Sequence, residues 1–334
     1  MNSGGEKRMK KSLLLIATAF LMLTVSCGEK EETVHLVDDR YQEENVSVLF
    51  DEGELKGSLM WPMEEGKGNL VIIVPGSGPT DRNGNNPQAG ENNNLLMIAE
   101  ALSEAGHYSL RYDKRGIGES RDLIKKESDM DFHDSINDVL SWVNKFKGNT
   151  RFEKIILLGH SEGALIAAEA CSISTDCDAL IAVSGTALKA HELLLAQLKA
   201  QSQEAYEMSV PIVEELVKGN MVPEVPVSLF NLFRPSVQPY LISWFSYDPV
   251  KIFSGIKDPV LILHGDRDIQ IPYDEARILH EAAPGSRLEI IEGMNHVLKD
   301  APEDLEGNIA TYSNPDLPLS DEFMKKVIEF IAGL

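Results

Sequence analysis

Ser161, a serine flanked by two glycines, is the first residue of this chain whose setting suggests chemistry. It lies in the stretch LLGHSEGALIAA, with Gly159 and Gly163 two positions away on either side. The apolar run KIILLG before it predicts a buried strand, and EGALIAAEAC after it predicts a helix. A sharp strand-to-helix turn lifts a serine hydroxyl clear of the sheet, and the helix N-terminus presents N–H groups to a developing anion. This context predicts that Ser161 is a nucleophile.

A serine hydroxyl needs a base, and the base needs a carboxylate that orients it. After a nucleophile on this kind of turn, the acid comes next along the chain and the histidine last. Asp266 and Asp268 directly follow the apolar run PVLILHG, and both are candidates for the acid. Of the two histidines further on, His280 lies in an amphipathic helix pattern and His296 in a loop after the predicted strand RLEIIE. Because loops at strand carboxyl ends collect the chemistry of such sheets, His296 is the predicted base.

Two backbone N–H groups are needed to bind the oxyanion that forms when a serine attacks a carbonyl carbon. One is predicted to be the N–H of Glu162, the residue after the nucleophile. The other is predicted to be the N–H of Ser77, in the glycine-rich loop PGSGPTDRNGN (75–85) that follows the apolar run LVIIV. The alternative for this loop is a turn with no catalytic part. Its DRNGN stretch lacks the spacing of an EF-hand, and we expect no metal and no cofactor.

The elements that must position these residues are strands buried on both faces and helices between them. Strands of a parallel sheet covered by helices are apolar throughout, as are residues 70–74, 154–159, 179–183 and 259–265. Apolar residues at three- and four-residue steps predict helices over 93–106, 131–146 and 322–334. Residues 45–50 and 55–61 predict an antiparallel hairpin before them. The fold class is therefore α/β, with a mostly parallel central sheet flanked by helices.

Residues 186–250 interrupt the alternation of strands and helices. They carry helical patterns that prolines cut into short pieces, and they show no strand pattern. We expect a helical cap inserted between two strands, where it would shape the substrate pocket. Its aromatic residues are candidates for the pocket wall or for packing of the cap onto the core: Phe230, Phe233, Tyr240, Trp244 and Phe245.

The N-terminus carries the pattern of an export signal. A basic segment, KRMKK, precedes an apolar run over residues 12–25, which is shorter than the roughly 20 residues of a membrane span. The stretch LTVSC resembles a bacterial lipoprotein signal, which implies removal of residues 1–26 and lipidation of Cys27. An uncleaved anchor or a plain secretory signal are the alternatives. Residues 27–44 are charged and predict a flexible tether, in which GEKEE resembles a surface-export signal. The expected location is the cell envelope, periplasmic or surface-exposed, on a lipid anchor.

Charge and cysteines limit the partners and the compartment. With 31 basic and 53 acidic residues the net charge is −22, which disfavours nucleic acid as a partner. Outside the cytoplasm a disulfide between Cys171 and Cys177 is one interpretation of the stretch CSISTDC. The other is that Cys171 is a small apolar residue on a buried helix.

The motifs, taken together and in order, resemble those of the α/β-hydrolase superfamily over residues 45–334. The matching stretches are VPGSGPTDRNGN, LRYDKRGIGES, GHSEG, HGDRDIQIP and GMNH. The resemblance implies that Asp268, which precedes IQIP, is the acid, and that Asp113 and Arg115 are mainly structural. The PGSGPTDRNGN loop is similar to that of bacterial esterases related to serine-aminopeptidase-like hydrolases. Pro75 stands where many relatives carry histidine, which changes side-chain contacts but not the backbone donors.

These residues predict a serine hydrolase that cleaves carboxylic esters through an acyl-enzyme. The expected substrates are small-molecule esters with short-chain or carbohydrate-linked acyl groups. One alternative is an aminopeptidase-like peptidase, which would hold the substrate amine with a carboxylate. The cap offers glutamates for that purpose: Glu204, Glu207, Glu214 and Glu215. The other alternative is a non-enzymatic binding lipoprotein on a hydrolase fold.

Overall fold

The structure, a computed structural model, describes residues 40–64 and 66–334. The predicted signal segment 1–26, Cys27 and most of the predicted tether therefore lie outside the described residues. Within the described ranges, no helix has the length and apolar character that crossing a bilayer requires.

One eight-stranded sheet forms the centre of the fold. Its strands are β1 (Tyr41–Phe50), β2 (Gly53–Pro62), β3 (Gly68–Val74), β4 (Tyr108–Tyr112), β5 (Phe152–His160), β6 (Ala179–Val183), β7 (Val260–Gly265) and β8 (Arg287–Ile291). Their order is β1-β2-β4-β3-β5-β6-β7-β8. Strands β1 and β2 pair antiparallel, β2 pairs antiparallel with β4, and every later neighbour is parallel. The predicted α/β class with a mostly parallel sheet is confirmed.

The helices lie between the strands and after the last strand along the chain. They are α1 (Asn94–Glu104), α2 (Phe132–Phe146), α3 (Glu162–Ile173), α4 (Ala190–Gln201), α5 (Gln203–Val217), α6 (Phe230–Phe233), α7 (Gln238–Phe245), α8 (Pro249–Gly255), α9 (Asp274–Ala282), α10 (Leu305–Ala310) and α11 (Asp321–Ala332). Short 3-10 turns lie at Gly118–Leu123, Glu127–Asp129, Val227–Leu229 and Thr311–Ser313.

The sheet is buried on both faces because its strands carry apolar side chains at successive positions. In β3, Leu70 and Ile72 belong to one hydrophobic core, while Val71 and Ile73 belong to the other. The first core includes Trp142 of α2 and residues of α3, and the second includes residues of α1 and α11. Two helical layers therefore cover the two faces of the sheet.

The first strand begins earlier than the sequence predicts. Tyr41 already pairs with Pro62 across the β1–β2 ladder, so the prediction of a tether through residue 44 is wrong at its C-terminal end. Polar side chains at the end of the predicted tether form hydrogen bonds with the rest of the fold. Glu43 accepts a hydrogen bond from the buried guanidinium of Arg111 on β4, and the Tyr41 hydroxyl donates to Glu100 at 3.0 Å.

Helices α4 to α8 occupy the chain between β6 and β7, the segment predicted as a cap. Three of the five aromatic side chains named above are buried, namely Phe233, Trp244 and Phe245, whereas Phe230 is half-exposed. Trp244 stacks on Phe132 of α2, with ring centroids 5.8 Å apart. This packing fixes α7 against the core domain close to the carboxyl end of β5.

The structure joins Cys171 and Cys177 by a disulfide bond. The bond links the C-terminal half of α3 to the segment that enters β6, and both cysteines are buried. A disulfide across so short a loop removes a modest amount of conformational freedom from the unfolded chain.

Candidate active site

Ser161 forms the turn between β5 and α3. Its backbone has φ 57° and ψ −121°, a conformation that residues with a side chain rarely adopt. Two glycines make room for it: a Cβ on Gly159 would lie 2.1 Å from the Gly163 carbonyl oxygen, and one on Gly163 would lie 2.3 Å from that of Val74. The Ser161 N–H donates to the Val183 carbonyl at 2.8 Å. The turn is therefore fixed from both neighbouring strands.

His296 lies after β8 and hydrogen-bonds at both ring nitrogens. Its Nδ1 is 2.6 Å from Oδ2 of Asp268, and its Nε2 is 3.1 Å from Oγ of Ser161. An ionised carboxylate only accepts hydrogen bonds, so Nδ1 carries the proton and Nε2 accepts from the serine hydroxyl. All three side chains are buried. The structure thus brings the predicted nucleophile, base and acid into one hydrogen-bonded chain.

Asp268 is held as an anion by four donors. Its Oδ1 accepts from the N–H groups of Gln270 and Ile271 at 2.8 and 3.0 Å, and its Oδ2 accepts from His296 and lies 3.3 Å from Nε2 of His264. Burial alone would raise the pKa of Asp268, but the two imidazoles outweigh it and hold that pKa well below its usual range.

The other acid and histidine that the sequence offered have local structural partners. Asp266 is exposed and accepts from the Gly293 N–H at 2.7 Å, which shapes the turn after β8. His280 on α9 lies 2.7 Å from the Ser286 hydroxyl. Neither lies in the chain of contacts that begins at Ser161.

His264, on β7, is a residue of the site that sequence reasoning missed. Its side chain is fully buried, and its Nε2 lies 3.0 Å from the Ile271 carbonyl as well as near Asp268. One ring N–H therefore supports both the carboxylate and the loop that carries it. The sequence signal was slight, a single polar residue within the otherwise apolar run PVLILHG.

His160, the residue before the nucleophile, is oriented away from a role as base. Its Nε2 lies 2.8 Å from the His296 carbonyl, which only accepts, so His160 donates there. Burial, together with the neighbouring imidazole of His296, lowers the pKa of His160 to about 3. A neutral His160 therefore fixes the backbone of the base.

The two predicted oxyanion donors flank Ser161. Glu162 is the first residue of α3, so its N–H has no intrahelical acceptor. The loop carrying Ser77 lies against the nucleophile, since a Cβ on Gly76 would lie 3.2 Å from Cβ of Ser161. Among the described residues, no backbone or side-chain acceptor takes the Ser77 N–H. Both amides are available to a developing anion.

Lys114, after β4, fixes the peptide that carries the Ser77 N–H. Its ammonium donates to the Gly76 carbonyl oxygen at 2.5 Å. The Gly76 carbonyl and the Ser77 N–H belong to one trans peptide unit, so they point in opposite directions. By holding the carbonyl, Lys114 directs the N–H of Ser77 away from itself. No pattern in the sequence distinguishes this lysine from the others.

A buried polar cluster surrounds Lys114 and the side chain of Glu162. The Lys114 ammonium is 4.0 Å from Oε1 of Glu162, and that carboxyl hydrogen-bonds to Tyr240 of α7. Burial raises the pKa of Glu162 and lowers that of Lys114, while each group partly opposes the shift of the other. The cluster links the turn after Ser161 to the oxyanion loop and to the inserted helices.

Asp113 and Arg115 secure the same region by charge-assisted hydrogen bonds. Asp113 accepts from the Arg82 N–H at 2.9 Å and from the Arg82 guanidinium at 2.7 Å, which ties the loop 75–85 to the end of β4. Arg115 donates to both carboxylate oxygens of Asp138 on α2 at 2.9 Å. These contacts are structural, as the resemblance implied.

Two cavities meet at Ser161. The amide-lined cavity has a volume of about 240 Å³ and is lined by Ser161, His296, the loop 76–95, Gln270 and the segment 309–313. The apolar cavity, of about 20 Å³, is lined mainly by Leu165, Leu188, Ala190, Leu193, Trp244 and Ile271 besides Ser161 and Glu162. His296 lines the first cavity and not the second.

No group of three or more histidine, cysteine, aspartate or glutamate side chains in the described part of the chain has a metal-binding arrangement. The candidate site therefore consists of the serine, histidine and aspartate, two backbone donors and the groups that hold them.

This sheet order, with a serine on the turn after β5 and an aspartate and a histidine after β7 and β8, defines the α/β-hydrolase fold. The described chain therefore adopts the α/β-hydrolase fold.

Comparisons with known proteins agree. Residues 90–229 match the family model described as serine aminopeptidase, S33. The chain is 26% identical to esterase EstD of Thermotoga maritima over 78% of its own length, and this match spans 61% of the esterase. It is 24% identical to a monoacylglycerol lipase of Mycolicibacterium smegmatis, over 62% of this chain and 77% of the lipase.

Solved structures show the same fold at low sequence identity. An esterase of Pyrococcus furiosus superposes with a TM-score of 0.57 at 17% identity, covering 94% of this chain and 97% of that one. Est1E of Butyrivibrio proteoclasticus, in a structure with ferulic acid bound, gives a TM-score of 0.57 at 20% identity, covering 86% and 96%.

Replacing Lys114 by methionine tests its hold on the oxyanion loop. We expect Lys114→Met to lower kcat on p-nitrophenyl acetate by about 10- to 100-fold with little change in KM, since outright loss of an oxyanion donor costs about 10²–10³. Lys154→Met is the control, because the Lys154 ammonium also donates to a main-chain oxygen, that of Leu334 at 2.8 Å, outside the site. A kcat for Lys114→Met within twofold of wild type, in folded protein, would contradict the positioning role.

Proposed function

We propose that the protein is a carboxylic ester hydrolase in which Ser161 is the nucleophile. The observation that carries the proposal is the hydrogen-bonded chain from Asp268 through His296 to Ser161. A site that only binds a ligand gains nothing from a histidine tautomer fixed so that it accepts the serine proton. The esterase and lipase relatives support the same reaction class.

In the proposed reaction, Nε2 of His296 takes the Ser161 proton while the serine oxygen attacks the ester carbonyl carbon. The N–H groups of Ser77 and Glu162 stabilise the oxyanion. As the tetrahedral intermediate collapses, His296 gives its proton to the leaving alcohol oxygen, and an acyl-serine remains. Water then loses a proton to His296 and attacks the acyl carbon, which releases the acid and restores Ser161. The net change is ester plus water to acid plus alcohol.

The position of His296 assigns the two halves of the ester to the two cavities. The leaving oxygen must lie next to Nε2 of His296 to receive its proton. Since His296 lines the amide-lined cavity, the alcohol half lies there. The acyl half then extends on the other side of Ser161, into the apolar cavity.

The apolar cavity supports a short acyl group. One water needs about 10–15 Å³ of such space, so about 20 Å³ favours a group of the size of methyl over a longer chain. Ferulic acid, the aromatic acid bound in the Butyrivibrio esterase, is far larger than this space. We therefore propose acetyl esters as the preferred substrates.

The same cavities disfavour an aminopeptidase. A free substrate amine needs a carboxylate, and across the described residues no aspartate or glutamate lines the amide-lined cavity. The cap glutamates considered from the sequence line neither cavity, and Glu215 pairs with Lys218 at 2.8 Å. Glu162 does line the apolar cavity, but its carboxyl already faces the Lys114 ammonium at 4.0 Å.

We also propose that the enzyme is a lipid-anchored protein of the bacterial envelope. The support is the sequence LTVSC with its preceding basic and apolar segments. The Cys171–Cys177 disulfide adds an independent argument, since such bonds persist in oxidising compartments outside the cytoplasm.

Ser161→Ala tests the nucleophile. We expect it to lower kcat on p-nitrophenyl acetate by roughly 10⁴-fold or more with the fold intact, and to abolish labelling by a fluorophosphonate probe. Ser172→Ala, on the exposed side of α3, is the matched control. Wild-type labelling of the alanine variant would exclude Ser161 as the nucleophile. Faster turnover of an amino-acid β-naphthylamide than of the acetyl ester would favour the peptidase.

Leu193→Ala tests the limit on acyl length. Leu188 and Leu193 line both the apolar cavity and an outer cavity of about 310 Å³, so removing the Leu193 side chain is expected to join the two. The ratio of kcat/KM for p-nitrophenyl hexanoate to that for the acetate should rise at least about 10-fold, the effect of several buried methylenes. Leu198→Ala, also buried on α4 but lining neither cavity, controls for lost stability. An unchanged ratio would place the acyl group elsewhere.

Cys27→Ser tests the anchor in a bacterial host. The wild-type chain should take up labelled palmitate and sediment with membranes, and the variant should do neither, because lipidation requires the thiol. Ser26→Ala keeps a small residue before the cysteine and should behave as wild type. A wild-type chain that acquires no lipid would refute the proposed anchor.

A further inference from the structure

The amide-lined cavity is uncharged and rich in hydrogen-bonding groups. Besides Ser161, His160 and His296, five side-chain amides reach its wall, namely Asn86, Gln88, Asn92, Asn94 and Gln270. Throughout the described residues, no lysine, arginine, aspartate or glutamate lines it. A carboxamide both donates and accepts, as a hydroxyl does. The wall therefore matches a neutral ligand with several hydroxyl groups better than a phosphate, an amine or an alkyl chain.

The side-chain amide of Asn94, in the wall of this cavity, is not fully hydrogen-bonded by the described residues. It is 2% exposed, it lines the cavity, and its Oδ1 has no hydrogen-bond partner among the described residues. A Cβ on Gly84 would lie 1.9 Å from that oxygen, so only glycine at position 84 leaves space for it. That oxygen is closed off beneath Gly84, so the group of Asn94 left for a ligand hydroxyl is its Nδ2, which donates to no described residue.

Neighbouring amides, in contrast, are used within the protein. Oδ1 of Asn85 accepts from the N–H groups of Asn92 and Asn93 at 3.0 and 2.9 Å, and Asn86 donates to the Thr80 hydroxyl at 3.3 Å. These bonds hold the segment that carries Asn94 in place. Asn94 at the start of α1 is thus presented by a fixed loop.

We propose that the amide-lined cavity binds a sugar ring, so that the enzyme removes acetyl groups from a neutral carbohydrate, and that Asn94 is a specificity-determining residue for it. The proposal rests on the proposed ester hydrolysis and specifies its alcohol half. The volume of about 240 Å³ lies below the roughly 300–1,000 Å³ of sites for drug-sized ligands, which suits one ring. Hydrolysis consumes one water and yields acetate and the free sugar hydroxyl.

The experiment compares two acetyl esters that differ in the alcohol. One is a mono-O-acetylated methyl glucoside, and the other is p-nitrophenyl acetate, whose leaving group needs no hydrogen bonds to depart. We expect Asn94→Leu, close in size but apolar, to lower kcat/KM on the sugar ester by about 10- to 100-fold more than it lowers kcat/KM on p-nitrophenyl acetate. Asn137→Leu, exposed on α2, should leave both unchanged.

Equal effects of Asn94→Leu on the two esters would overturn the proposal, and so would the absence of any effect. Turnover of p-nitrophenyl acetate shows whether the variant is folded. A second measurement needs no change at Asn94: Ser161→Ala should bind the acetylated glucoside at least 10-fold more tightly than n-hexyl acetate by calorimetry. Equal or weaker binding of the glucoside would also overturn it. If the wild type hydrolyses no ester and takes no fluorophosphonate, the proposed function itself fails.

Discussion

The backbone of Ser161 is the constraint on which the rest of this site depends. A non-glycine residue with φ 57° between a strand and a helix is held only where its surroundings leave no other conformation. Here the neighbouring glycines let β5, α3 and the end of β3 approach at backbone contact distance. The same approach brings the oxyanion loop against the serine. The backbone strain of Ser161 is therefore offset by packing that also brings the oxyanion donors next to it.

The parallel sheet positions the residues that act together with Ser161. The loops after β3, β5, β7 and β8 all leave the sheet at its carboxyl edge, and they carry Ser77, Ser161, Asp268 and His296 in that order. Support comes from side chains behind the reacting groups: His264 under the carboxylate, His160 under the backbone of the base, and Lys114 under the oxyanion loop. Each of these side chains donates a hydrogen bond to a group that holds a reacting residue. The reacting residues are therefore in position before the reaction begins.

The sequence predicts the fold and the reacting residues because both leave local signals. Continuous apolar runs indicate strands buried on both faces, and glycine spacing indicates the turn at Ser161. His264 and Lys114 leave no such signal, since their partners are 7 and 38 residues away and include backbone carbonyls. The start of β1 was missed for a related reason. The carboxylate of Glu43 looks solvent-facing in sequence, yet it pairs with Arg111, which is buried on another strand.

The two cavities at Ser161 are built from different parts of the chain. The amide-lined cavity draws its wall from loops at the sheet edge and from the ends of α1 and α10, with no residue from the inserted helices α4 to α8. The apolar cavity takes Ala190, Leu193 and Trp244 from that insertion. In the proposed reaction, the acid half and the alcohol half of the ester are therefore bound by different parts of the chain. Exchanging the insertion for that of a relative would alter one half of the ester while the loops kept their preference for the other.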